Sequence, residues 1–553
     1  MRNKLKIGLL INDYCVQAWE YDLVAEILSS EYSIIEAVII QKKLTDNRMK
    51  KPPGNFLFRF HSRLDHLVFS GRNNYKERKD IRNSLVNTNQ FVLPSAGQAE
   101  SSDGNSDAIR EISKLGLDII VKLGYGPVNE ELCGLSKYGL WSYPMTDCSY
   151  ESIDTTGYFE VIDKQPVIVS ELVTRMTKGQ LPLVLARVTE ATCAYSVSLT
   201  REKLFRRASL FVPRIIIGLW KEGPDYLKKI ENKFGGTGLS LITQMPPPTA
   251  LKSLGNFFKA GFIFIRQVVK KIIYTDPFTW VLLFQKASDN NFETHSYKDF
   301  KKLKPTSDRF WADPFVVNMK DKYYVFVEEF LYKANKGHIA VLELDKNGQL
   351  QKTQKIIENP YHMSYPFVFQ RDSAYYMIPE TGGNRSIDLY RCTGFPWKWE
   401  FVKSIMKDIN AVDTTLLYHN GKWWLFTLID EINSSLAVSP ELYLFWSDDF
   451  LSDRWTGHPM NPVVTDVRYA RPAGRIFIRD GNIYRPSQDC AGRYGNSFDI
   501  NQILKLTCED YQEKSVIKVK PDWDNSLQGA HTFNSDGNFY ILDAYKVRRR
   551  LLN

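Results

Sequence analysis

The chain has 553 residues, too many for one hydrophobic core and enough for two or three domains. An apolar share of 43% and a charged share of 24% are those of an ordinary soluble globular protein. The net charge of +9 is small for this length. With no zinc-finger spacing and no aromatic RNA-binding signature, it gives no reason to expect a nucleic-acid partner.

Seven cysteines, odd in number and without a CxxC pair, fit free thiols in a reducing compartment. The apolar run at residues 7–11 is too short for a signal peptide, and no run of 18 apolar residues exists. The expected place is the cytoplasm or the inner face of the cytoplasmic membrane.

Residues 1–240 alternate strand-like and helical runs. Segments 6–11, 33–40 and 118–123 read as buried parallel strands, and 22–30 and 108–115 as helices between them. This rhythm predicts an α/β Rossmann-type domain with a mostly parallel sheet. Residues 43–105 read as a polar, basic insertion ending in a Ser/Gly/Asp-rich loop over 96–107. The run Asp118-Ile-Ile-Val-Lys-Leu-Gly-Tyr-Gly126, then Gly139-Leu-Trp-Ser142, Gly157-Tyr-Phe-Glu160 and Gly179, resembles a formyltransferase. In that family an Asn-x-His pair handles the formyl group. Here Ser142 and Pro144 stand at those positions, and Ile153-Asp-Thr-Thr replaces an Arg/Gly-rich loop, which argues against formyl transfer. Gly124, Tyr125 and Gly126, just past a central strand, and Ser142 are candidates for binding a nucleotide; a tight turn is the commoner reason for such glycines.

Residues 241–304 read as a junction. Met245-Pro-Pro-Pro248 breaks the chain, and residues 250–275 form one predicted helix without an acid before Asp276. Lys252, Lys259 and Arg266 are seven apart and share a face, with Lys270 beside them. The helix either connects two domains or lies on an anionic membrane surface, where each basic residue adds about 1 kcal/mol.

From residue 305 the chain repeats itself. Five segments each contain a short strand, a turn and an aromatic strand, beginning at Asp313, Tyr365, Asp413, Arg471 and His531. The period predicts a five-bladed all-β propeller over 305–553. Asn420-Gly421, Asp480-Gly481 and Asp536-Gly537 suit its tight hairpins. In such a fold the starts of the inner strands and the ends of the second strands meet at one funnel mouth. Asp313, Tyr365, Asp413, Arg471 and His531 are expected to form one ring there, and Glu328, Glu380, Thr427, Arg485 and Asp543 a second. So many charges are costly to bury unless paired or holding a ligand.

Paired carboxylates suit chemistry at an anomeric carbon, so Asp313, Glu328, Glu380 and Asp413 are the candidate catalytic groups. Arg471, Arg485 and Arg493 are candidates for holding phosphate. Trp311, Tyr361, Tyr365 and Trp424 are candidates for stacking on a sugar face, although most blade aromatics are simply core. Asp489 and His531 complete the substrate-binding set. A salt-bridge network between blades would explain any one of these charges.

Trp311-Ala-Asp-Pro-Phe looks like the opening of five-bladed arabinanase, xylosidase and fructosidase propellers, where the Asp acts as base or nucleophile. The wider pattern is Ser364-Tyr-Pro-Phe, Pro379-Glu-Thr, Val412-Asp-Thr-Thr-Leu, Ala470-Arg-Pro-Ala-Gly and Tyr484-Arg-Pro-Ser-Gln-Asp. It resembles the propeller domain of glucosamine inositolphosphorylceramide transferases. In the plant enzymes a separate glycosyltransferase domain follows the propeller, so the resemblance by itself transfers no substrate. The leading reading is a glycosyltransferase of surface polysaccharide or glycolipid assembly, with a nucleotide-sugar donor and a lipid-linked glycan acceptor. No cofactor and no metal are expected. The rivals are a glycoside hydrolase, a formyl- or acyltransferase with a glycan-binding propeller, and a non-catalytic glycan-binding scaffold.

Overall fold

The computed structural model describes the chain except residues 1, 42–54, 70–74, 76, 94–102, 148–154, 235–246, 274–278, 287–296, 432–440, 537–538 and 547–553. The chain divides into two compact units, 1–267 and 268–553.

The first unit is built on a seven-stranded sheet. Its order is Asn89–Leu93, Ser33–Gln41, Leu5–Ile11, Ile119–Lys122, Leu140–Ser142, Val167–Arg175, Leu183–Ala191. The first five strands are parallel. The last two join antiparallel, so the sheet is mixed rather than uniformly parallel. The parallel strands are apolar on both faces because helices cover both. Ile7, Leu9 and Ile11 point into a core with Trp19, Leu23 and Phe205, whereas Leu10 points to the other side, with Ile39 and Ile112.

Two expectations for this unit change. The 43–105 stretch is no mere insertion: it supplies the edge strand Asn89–Leu93 and a helix, Phe56–Phe69. The helix expected from residue 108 begins earlier, at Asp103, inside the supposed loop. Asp, Asn and Ser are good helix starters, and their polarity hid the boundary. The replaced loop at Ile153 lies outside the described residues. The junction helix is observed as Ala250–Ile273; Met245 and the side chain of Lys270 lie outside the described residues.

The second unit contains five antiparallel sheets of about four strands, a five-bladed propeller. Asn420 and Gly421, and Asp480 and Gly481, all have φ between 47° and 75°, as a two-residue hairpin turn requires. The third expected turn, Asp536-Gly537, falls partly outside the described residues. The fifth sheet takes its two outer strands from residues before 305. Thr279–Lys286 pairs along its whole length with the C-terminal Phe539–Lys546, and Lys301–Leu303 pairs outside it. The ring of blades is thus closed by strands from both ends of the unit.

Four of the five inner strands lose their regular ladder at the same place. The breaks fall between Ala312 and Phe315, Ser364 and Phe367, Val412 and Thr415, and Ala530 and Phe533. Within the first three breaks, Asp313, Tyr365 and Asp413 adopt φ of 50°, 44° and 52°. A bulge re-aims a side chain, and a left-handed non-glycine residue stores strain of about 1 kcal/mol or more. This strain recurs in three blades, at residues lining the axis.

Candidate active site in the propeller funnel

Asp313 is buried and lies at the middle of a hydrogen-bonded cluster. Its Oδ2 accepts from the backbone N–H of Tyr365 (3.3 Å) and its Oδ1 from the Thr532 hydroxyl (2.9 Å). His531 bridges two carboxylates: Nδ1 is 2.5 Å from Asp543 Oδ1, and Nε2 is 3.5 Å from Asp313 Oδ1. Asp543, fully buried, also accepts from the backbone N–H groups of Asp313 (2.8 Å) and Thr532 (2.9 Å). On the third and fourth blades, Arg471 Nε donates to Asp413 Oδ2 at 2.6 Å.

Five carboxylates (Asp313, Glu328, Glu380, Asp413, Asp543) influence one another here, against Arg471 and His531. Burial and mutual repulsion therefore keep some of them protonated. Burial, partly offset by His531, pushes the Asp313 carboxyl up to about 6. Burial and the surrounding carboxylates push Glu328 well above the usual range. Glu380 is likewise raised by burial and by Asp413, although Arg471 opposes the shift. Burial favours neutral His531, but Asp543 and Asp313 outweigh it and raise its pKa. Raised carboxyls of this kind, set beside a histidine and an arginine, are what acid–base chemistry can use.

Asp313, His531 and Asp543 also bring one ligand atom each within 4.8 Å of one another, a spacing that suits a metal ion. In the arrangement observed, the His531 ring sits between the two carboxylates.

The four expected catalytic carboxylates, Arg471 and His531 come together in this funnel. Other expected residues do not. Arg485 is buried away from it, donating twice to Glu513 (2.8 and 2.6 Å) and once to the Tyr469 carbonyl (2.7 Å). Strand register explains the error. Gln488, not Arg485, lies opposite Arg471, and its amide is 3.5 Å from Asp413. Arg485 faces the outer strands of its blade. Arg485→Ala is accordingly expected to lower the unfolding free energy by about 3–5 kcal/mol, because it leaves Glu513 buried and unpaired. Donor KM of the folded fraction should not change; thermal melts and initial rates measure the two.

Trp311 is also core. Its indole donates to Glu329 (2.9 Å) among Val316, Val325 and Phe539. Tyr365 is fully buried, packed edge-on against Phe315. Its hydroxyl meets Thr415 (3.0 Å) and accepts from the Gly474 N–H (2.8 Å), so it ties three blades at the axis. Gly474 permits this because any Cβ there would strike the Phe533 carbonyl oxygen at 2.0 Å. Asp489 is engaged by Lys518 and by the Ala491 N–H. Thr427 bonds Thr414. Arg493 is exposed and lies over the Tyr545 ring at 5.7 Å.

The aromatic wall of the site comes from residues the repeat does not mark. Trp280 stacks flat on His531, with centroids 3.9 Å apart. Tyr494 stands edge-on to the same ring at 5.4 Å and lies under the Arg471 guanidinium at 4.8 Å. Tyr494 is 38% exposed as a residue, although burial raises its hydroxyl pKa well above the usual range. Glu328 gains a partner in His362, 3.5 Å away. Trp280 precedes the repeat, and Tyr494 and His362 sit in loops outside it. Thr532 and Gln488 were findable, one by adjacency to His531 and the other by counting register within Tyr484-Arg-Pro-Ser-Gln-Asp.

In the first unit the candidate nucleotide-binding groups are engaged internally. The Gly124 N–H donates to Glu20 (2.6 Å) and the Gly126 N–H to the Thr146 carbonyl (3.1 Å). The Tyr125 hydroxyl donates to Gln17 (3.0 Å). Ser142 lies between Asp147 (2.6 Å) and Arg175 (2.7 Å), with Lys122 3.1 Å from Asp147.

Residues 300–549 match the family model described as glucosamine inositolphosphorylceramide transferase 1, N-terminal. The matched stretch lies in the propeller unit. Glucosamine inositolphosphorylceramide transferase 1 of Oryza sativa subsp. japonica is 35% identical over 241 residues, covering 43% of this chain and 32% of the rice protein. The Arabidopsis thaliana protein of the same name is 32% identical over 228 residues, 41% and 29% of the two chains. The matched stretch thus spans about a third of the length of these relatives. Among solved structures, an exo-1,5-α-L-arabinanase from a bovine ruminal metagenomic library is similar, with 14% identity, 45% and 95% coverage and a TM-score of 0.30.

Proposed function

We propose that this propeller of the glucosamine inositolphosphorylceramide transferase type transfers a sugar from a nucleotide-activated donor to a glycolipid or lipid-linked glycan, with the chemistry in the funnel. The observation that carries the reading is the convergence of Asp313, Glu328, Glu380, Asp413 and Asp543 on Arg471 and His531 around one cavity, with burial raising the Asp313 carboxyl to about 6 and those of Glu328 and Glu380 well above the usual range. The names of the relatives favour transfer over hydrolysis.

In this reading Asp313 takes the proton of the acceptor hydroxyl as its oxygen attacks the anomeric carbon. The bond to the donor diphosphate breaks on the other side. Arg471 and the imidazolium of His531 offset the charge that develops on the departing phosphate, and Glu380, when protonated, can hydrogen-bond it. Tyr494 offers its ring to the sugar face. The first unit is read as a formyltransferase-like scaffold without that family's proton-handling histidine, and it supports the membrane position of the enzyme through the helix Ala250–Ile273. Its basic residues favour the anionic inner face of a cytoplasmic membrane.

The direction of the pKa shifts predicts a bell-shaped rate profile. Activity should rise as Asp313 ionises, through about pH 6. It should fall at higher pH as Glu328 or Glu380 loses its proton. Glu380→Gln should flatten or shift the descending limb. Release of nucleoside diphosphate that depends on added glycolipid, followed against pH, tests the reading. Sugar release without any acceptor would instead indicate a hydrolase, and a rate indifferent to pH between about 5 and 8 would remove Asp313 from the chemistry.

A further inference from the structure

Two helices of the first unit show an inverted polarity that a water-facing surface does not need. In Ala250–Ile273 the residues turned inward include Ser253 (2% exposed) and Asn256 (8%). They are held by hydrogen bonds: Asn55 donates to Ser253 (2.8 Å), and Asn256 to the Tyr158 hydroxyl (3.3 Å). The residues turned outward are apolar. Leu251, Leu254, Phe258, Phe262 and Ile265 are 82%, 41%, 68%, 67% and 61% exposed. Their spacing of three or four places them in one stripe.

The helix Phe56–Phe69 does the same. It buries Phe58 and its one acid, Asp65, which accepts from the backbone N–H groups of Val197 and Ser198. It exposes Phe56, Phe60, Leu64 and Leu67, again one stripe. The two helices touch, Phe60 against Phe257 and Phe69 against Phe264 at about 6 Å between ring centroids. Exposed cations flank the stripes: Lys252, Lys259 and Arg266 on one helix, Arg63 on the other. Neither helix exposes an acid among its described side chains. No described helix is long and apolar enough to cross a membrane.

We propose that these two helices form one platform that inserts into the interfacial layer of a lipid bilayer, apolar stripes down and cations at the headgroups. The proposal rests on the membrane-surface reading above and deepens it. Purely electrostatic contact through one basic helix would be lost on screening. An apolar platform holds on in salt, because burial of apolar side chains is not screened. A second copy of the chain is the other occupant such a surface could take, but the one-sided positive charge would repel it and suits anionic lipid.

The experiment uses the full chain and phosphatidylcholine vesicles with and without phosphatidylglycerol, sedimented at low and high salt. The triple variant Phe56→Ser, Leu64→Gln, Leu67→Gln keeps every cation and alters only exposed side chains, so its thermal midpoint should match the parent's. It should lose vesicle affinity in high salt by about tenfold or more. The variant Lys252→Gln, Lys259→Gln, Arg266→Gln should lose the preference for phosphatidylglycerol yet keep binding in high salt. Parent binding that vanishes in high salt, or a triple variant that binds like the parent, overturns the platform. A concentration-dependent dimer abolished by the triple variant, with no vesicle binding, does the same. Sugar transfer to a detergent-solubilised acceptor, assayed in parallel, should be unaffected by the triple variant. Failure of that transfer in the parent would defeat the proposed reaction without touching the platform.

Discussion

Asp313→Asn is expected to reduce sugar transfer by about 1,000-fold or more, within the range ascribed to a positioned proton-transfer group plus its charge, while making the protein more stable at neutral pH. Both effects come from the same burial. An asparagine fits the site: its amide oxygen can accept from the Tyr365 N–H, and its amide nitrogen can donate to Thr532, whose hydroxyl is free to turn. Only the ionisable group is lost. The sign of the stability change follows from linkage. Asp313 titrates at about 6 in the folded protein, above the ordinary aspartate value of about 3.9. Its contribution is therefore fully present below pH 4 and is lost as pH rises through about 6. Above that range the native state carries a buried charge it disfavours, by up to about 3 kcal/mol. The variant should melt at a higher temperature than the parent near pH 7.5, and the difference should close on approach to pH 4. Paired thermal melts at the two pH values and single-turnover rates decide the matter. A variant that retains full activity would move the search for the active site to the first unit. A variant that melts lower at neutral pH would mean that Asp313 serves the fold.

A chain beginning at residue 305 is expected not to fold as a propeller, whereas one beginning at residue 268 should. Both contain every repeat visible in the sequence. The shorter chain lacks Thr279–Lys286, where Trp280, Val281, Leu282, Leu283 and Phe284 are all buried. At about 1.5–3 kcal/mol for each large apolar side chain, their loss amounts to roughly 10 kcal/mol, comparable to the whole stability of a domain. It also bares the edge of Phe539–Lys546, whose partner strand is gone, and an exposed apolar edge invites aggregation. Trp280 packs on His531, so even a residually folded short chain would have a disordered site. Circular dichroism and cooperative melting of the two fragments test this. A soluble, cooperatively melting 305–553 fragment would show that the outer strands of the fifth sheet are dispensable.

How far the sequence could be read depended on whether a feature is local. The propeller was legible because a blade is a repeated unit with its own alternation and turn residues: Asn420-Gly421 and Asp480-Gly481 adopt the left-handed pairs their side chains favour. The inner ring of Asp313, Asp413, Arg471 and His531 was legible because the starting position of each blade could be counted. Arg485 was misplaced because a hairpin end is defined by pairing: one strand's register separates a residue at the axis from one facing the outer strands, and only the pairing of Arg471 with Gln488 settles which is which. Trp311 and Tyr365 look like sugar platforms in a sequence, since aromatic type does not say which side of a bulged strand a ring takes.

The sequence alone determined that there would be an α/β layer followed by repeated β-hairpins, and which charged residue types would stand at their starts. These follow from periodicity and turn chemistry, which act over a few residues. The tertiary structure decided the rest: that strands before residue 305 close the ring, that Trp280 and Tyr494 wall the site, and that burial raises the Asp313 carboxyl to about 6 and those of Glu328 and Glu380 well above their usual range. Each depends on side chains distant in the chain sharing a space from which water is excluded, where desolvation and mutual repulsion act across blades. No window of the sequence contains those terms.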